Sequence, residues 1–95
     1  MIKDKYLKEI AEKVKNFAKN KNLKFFIFGS SITKEHFGDL DLGVMGNIQE
    51  KELINLKEEF TNSTLPYFVD IINFNKVSKK FKDNVFKQKI LWITH

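Results

Sequence analysis

Phe25-Phe26-Ile27-Phe28-Gly29-Ser30, then eight residues, 31–38, then Asp39-Leu40-Asp41-Leu42-Gly43-Val44 is the stretch that decides the fold. The first part is a run of large apolar residues that stops abruptly at Gly-Ser, as a fully buried strand stops at a tight turn. Gly29 can take positive φ there. That freedom lets the following backbone N–H groups turn into one concavity, with the Ser30 hydroxyl as a further donor, and such a nest suits phosphate oxygens. In the second part, period-two alternation sets Asp39 and Asp41 on one strand face and Leu40 and Leu42 on the other.

Two like charges ~4 Å apart cost about 1 kcal/mol in water and about 4 kcal/mol at an effective dielectric of 20. A divalent cation reverses that cost, and a carboxylate-rich site with room for water and phosphate suits Mg2+. A third acid, Asp70, interrupts a second apolar run, Pro66-Tyr67-Phe68-Val69-Asp70-Ile71-Ile72. Three acids on neighbouring strands would make a two-metal phosphoryl-transfer centre. Singly, each signal has a plainer reading: a turn, a solvent-facing pair, an edge-strand acid. Their order along one chain is what carries the argument.

At these residues the chain resembles the minimal nucleotidyltransferases of the DNA polymerase β-like superfamily, over most of its length. The resemblance implies a single-domain nucleotidyltransferase fold over residues 1–95, an α/β fold with a mixed sheet flanked by helices. It also implies transfer of AMP from ATP to an acceptor hydroxyl, with two Mg2+ ions held by Asp39, Asp41 and Asp70. Asp70 would ligate the catalytic metal and serve as base, while Gly29 and Ser30 would hold the triphosphate. The spacer departs from the family pattern, being shorter and free of arginine. Lys34 could supply the missing positive charge, as a point charge and not a bidentate fork. Minimal members of the family commonly pair with a helical HEPN-type ribonuclease toxin and act as its antitoxin by AMPylating it. That is the leading expectation here. Alternatives are a small-molecule or RNA-end acceptor held by a separate helical subunit, and a binding antitoxin without catalysis.

Ninety-five residues, 42% hydrophobic, suffice for one modest core. Without cysteine there is no disulfide framework or thiolate zinc site, which fits a cytoplasmic location. No signal peptide and no apolar run of membrane-spanning length is apparent, so no membrane partner is expected. The net charge is +5, and all seventeen basic residues are lysines dispersed among acids. That pattern is a solvated surface before it is an RNA face, although RNA stays open as an acceptor.

In chain order, Leu7, Ile10, Val14, Phe17 and Ala18 recur at three- and four-residue steps, predicting an amphipathic helix from Asp4 to about Asn20. Strands are expected over 24–28, 40–45 and 65–73, with 31–38 as the active-site loop. His36 in that loop is assigned no role. Asn47 and Glu50 have the form of a capping box opening a helix to about Phe60, which turns Ile48, Leu53, Leu56 and Phe60 inward. Ser78 is expected to cap a last helix that buries Phe81, Val85 and Phe86. The tail Ile90-Leu91-Trp92-Ile93 reads either as a closing strand or as a patch offered to a partner. The short link between the first two strands predicts that they pair antiparallel.

Overall fold

The computed structural model describes residues 2–93; Met1, Thr94 and His95, the ends of the expected 1–95 domain, lie outside the described residues. The elements are α1 (Asp4–Ala18), β1 (Leu23–Phe28), α2 (Ser30–Thr33), β2 (Asp39–Gly46), α3 (Glu50–Thr61), β3 (Phe68–Asn73), α4 (Lys79–Phe86) and β4 (Leu91–Trp92). Four strands form one mixed sheet in the order β3-β2-β1-β4. β1 runs antiparallel to both β2 and β4, whereas β2 and β3 are parallel, joined by α3 as the crossover.

Alternation along the strands sorts the core into two layers. Leu23, Phe25 and Ile27 of β1, Leu40, Leu42 and Val44 of β2, and Val69 and Ile71 of β3 share a cluster with Ile10 and Val14 of α1 and Leu53, Leu56 and Phe60 of α3. The opposite face carries Phe26 and Phe28, closed over by Phe74 and by Val85 of α4. Phe26 is its hub, with ring centroids 4.8 Å from Phe74, 5.3 Å from Phe86 and 5.0 Å from Trp92. Gly43, which faces Phe26 in the register, leaves room for that ring: a Cβ there would sit 2.4 Å from it.

The tail is therefore a strand, β4, although Trp92 keeps 38% of its surface exposed. Ser78 caps α4, its Oγ accepting from the Phe81 N–H at 3.1 Å. Phe81, however, is 39% exposed: on the first turn of α4 it reaches only the rim of the aromatic cluster.

The capping box belongs to Gln49 and Glu52, not to Asn47 and Glu50. The Ile48 N–H donates to the Gly46 carbonyl at 3.0 Å, a tight turn that delays the helix by two residues. That shift leaves Ile48 just before the cap and Leu53 at the fourth helical position, the hydrophobic-staple arrangement, both in one core cluster. β3 starts at Phe68 and not at Leu65, because Ser63 Oγ donates to the Phe60 carbonyl at 2.7 Å and accepts from the Leu65 N–H at 3.3 Å. These local bonds hold the segment as a turn. α1 ends at Ala18, where Asn20 adopts φ 63° and Lys21 Nζ donates to the Phe17 carbonyl at 3.2 Å.

Candidate active site

The three acids lie on one face at one end of the sheet. Asp39 and Asp41 are two residues apart on β2, and the parallel register sets Asp41 beside Asp70 and Asp39 beside Phe68. Across the antiparallel ladder Asp41 faces Phe28. The cluster thus has an aromatic residue on either side, while Leu40, Leu42, Val69 and Ile71 beneath it hold both strands to the helical layer. Asp39 and Asp70 are exposed, and the acid half-buried on this face is Asp41. Desolvation first, then the Asp70 and Asp39 carboxylates, raise its pKa above the ordinary value.

Gly29 closes the site from β1. Its φ of 82° and ψ of −155° lie in a region essentially reserved for glycine, and a Cβ there would sit 2.6 Å from Asp41 Oδ2. The backbone can pass that close to a carboxylate only without a side chain. The expected loop 31–38 begins instead as a helical turn, α2, with the Lys34 N–H donating to the Ser30 carbonyl and Thr33 Oγ1 donating to the Gly29 carbonyl at 3.1 Å. Ser30 opens that turn beside the acids, and Lys34 follows it on the exposed side. Farther along the loop the Phe37 ring lies 4.7 Å from Tyr67, tying it to the start of β3.

Asp39, Asp41, Asp70, Gly29 and Ser30 are thereby brought to one end of the sheet by register and by one turn. Among the described residues no three His, Cys, Asp or Glu side chains converge tightly enough to form a ready-made ion cage. The donor set itself fits Mg2+: hard oxygen ligands on one face, mutually repulsive at Asp41.

Three residues beside the site drew no expectation from sequence. Ser31 is fully buried, and its Oγ meets no hydrogen-bond partner among the described residues. Phe28 and Phe68 flank the acids, which only the strand register reveals.

A mixed four-stranded sheet with a Gly-Ser turn leading into a helix and three acids on the adjoining parallel strands defines a nucleotidyl-transfer domain. The family model described as "Polymerase beta, Nucleotidyltransferase" matches residues 12–94, and the chain belongs to that family. Among solved structures, a chain of the tri-AMPylated Shewanella oneidensis HEPN toxin in complex with MNT antitoxin superposes with a TM-score of 0.63 at 17% identity. The alignment covers 92% of this chain and 71% of that one, a likeness of fold. No curated protein matches the chain in sequence.

Proposed function

We propose that this chain transfers AMP from ATP to a hydroxyl of a HEPN-type toxin and so neutralises it, working in the cytoplasm as the antitoxin of a two-component module. The observation that carries the transfer reading is the register that sets Asp41 beside Asp70, with Asp39 two residues away on the same face. Family membership supports the chemistry, and the likeness to a chain of an AMPylated HEPN toxin–MNT antitoxin complex supports the partner.

In this reading Gly29 and Ser30 cradle the triphosphate, and Lys34 adds positive charge from the end of α2. Asp39, Asp41 and Asp70 would hold two Mg2+ ions, whose chemistry when bound is to neutralise charge on the attacking and leaving oxygens. The acceptor oxygen attacks the α-phosphorus in line, and its proton passes to the Asp70 carboxylate. The bond from the α-phosphorus to its bridging oxygen breaks, and pyrophosphate leaves with the electron pair.

The test is incubation of the purified chain with extract of its source cell, Mg2+ and ATP labelled on the α-phosphate, beside an Asp41→Asn control. Label on a protein band with the wild type alone supports the reading, and the excised band names the partner. Label on RNA would move the acceptor to a nucleic acid. No transfer to any species would favour the antitoxin that acts by contact, a reading suggested by the short, arginine-free spacer.

A further inference from the structure

The two edges of the sheet are built differently. Exposed edges invite pairing with other chains, and proteins blunt them by shortness, lysine, proline or bulges. β4 is blunted by length, at two residues. β3 is six residues long, and in a chain with seventeen lysines none falls between Lys57 and Lys76. Its Phe68 is 66% exposed, the largest exposure among the big apolar side chains of the described residues.

The outward backbone of this edge follows from one hydrogen bond. The Phe74 N–H donates to the Val44 carbonyl at 2.9 Å, so the backbone of Phe74 faces β2. By alternation, Ile72, Asp70 and Phe68 face β2 as well, and Val69, Ile71 and Asn73 turn their N–H groups away from the sheet, with the carbonyls of Val69 and Ile71, while the Asn73 carbonyl accepts from the Lys76 N–H at 3.1 Å. At the start of the same edge lies a cavity of about 130 Å³, lined by Phe60, Thr61, Leu65, Tyr67, Phe68 and Val69. It opens where the C-terminal end of α3 meets β3, whereas Asp70 lies on the opposite face of the strand.

We propose that the outer edge of β3 is the docking site of the acceptor. The acceptor is an extended polypeptide segment that adds as a further strand, seats an apolar side chain in the cavity and presents the neighbouring hydroxyl side chain at Asp70. Side chains of an added strand alternate between faces, so one ligand reaches both the cavity and the acid face through adjacent residues. Other occupants fit less well. An RNA strand would find no lysine within β3 itself to neutralise its phosphates. A second copy paired edge to edge, with the helices kept on one side, would bring its Asp70 toward this one, like charges that oppose the pairing. This inference rests on the transfer reading above and narrows its acceptor to an extended segment that pairs with β3.

The experiment uses the full chain, ¹⁵N-labelled, with the synthetic peptide acetyl-Val-Tyr-Val-Tyr-Val-amide at millimolar concentration. Amide exchange at Val69, Ile71 and Asn73 is expected to slow by about tenfold, the equivalent of about 1.4 kcal/mol. With Mg2+ and ATP, mass spectrometry should find one AMP on a tyrosine. A peptide N-methylated at its pairing amides should do neither. Phe68→Lys, at a position open enough to leave the fold intact by circular dichroism, should cut the protection about tenfold by restoring a guarded edge. Unchanged exchange at these amides, equal protection in Phe68→Lys, or pairing of two copies through β3 would overturn the proposal. Protection without AMP transfer keeps the docking edge and overturns the transfer reading. Transfer without protection does the reverse.

Discussion

At the scale of single residues, Asp41 carries the most consequence. Asp39→Asn or Asp41→Asn is expected to lower AMP transfer about a hundredfold or more, because charge stabilisation at the reacting phosphate is the largest share of such catalysis. Label incorporation measures it. The effect on stability has the opposite sign. Burial, with Asp70 and Asp39, raises the pKa of Asp41 in the fold. A group raised in this way contributes stability that is fully present below its unfolded pKa and lost as pH rises through its folded pKa. Asp41→Asn should therefore raise the Tm of the chelator-treated protein near neutrality. That difference should vanish as the pH falls to the ordinary carboxylate range. Thermal melts across that window, with and without the substitution, check the sign. Gly29→Ala should cost roughly 1–3 kcal/mol, since the backbone there is glycine-specific and the new Cβ meets Asp41 Oδ2. Denaturant titration reads that loss.

At the scale of elements, α4 and β1 hold the second layer together. Phe26 is fully buried at the centre of the aromatic cluster, so Phe26→Ala should cost about 3–5 kcal/mol, enough to unfold a marginal domain. Ser78→Ala removes only a cap and should cost about 1 kcal/mol. The caps also show how far local signals reach. Ser78 was legible because nothing competes with it. The Asn47–Glu50 box was not, because the Gly46 carbonyl captures the Ile48 N–H first and only Gln49 is left to open the helix. Two boxes offset by two residues look alike in sequence. The turn that chooses between them depends on Gly46, whose positive φ is set where β2 ends against Asn22 and where Asn75 Nδ2 donates to the Gly46 carbonyl at 2.6 Å.

At the scale of the whole molecule, binding of substrate and ion should be read as stability. Mg2+ with ATP at about a hundredfold above Kd should stabilise the wild type by about 2.7 kcal/mol, on the order of 10 °C in Tm for a chain of this size. Asp41→Asn should lose most of that increment. A melt series with Mg2+, with ATP and with both separates the contributions. The sequence by itself determined the order of the three longer helices and the first three strands, the antiparallel pairing of the first two strands, and the acids that share a strand face, but neither the α2 turn nor the strand role of the tail. Those follow from periodicity and turn chemistry, which act over a few residues. Only the tertiary structure decided that β3 runs parallel to β2 with Asp70 beside Asp41, that Phe68 and Phe28 flank the acids, and that β3 is the long open edge. Such facts depend on which strands pair and in what register, and register is fixed by burying both core layers at once, a constraint between segments distant in the chain.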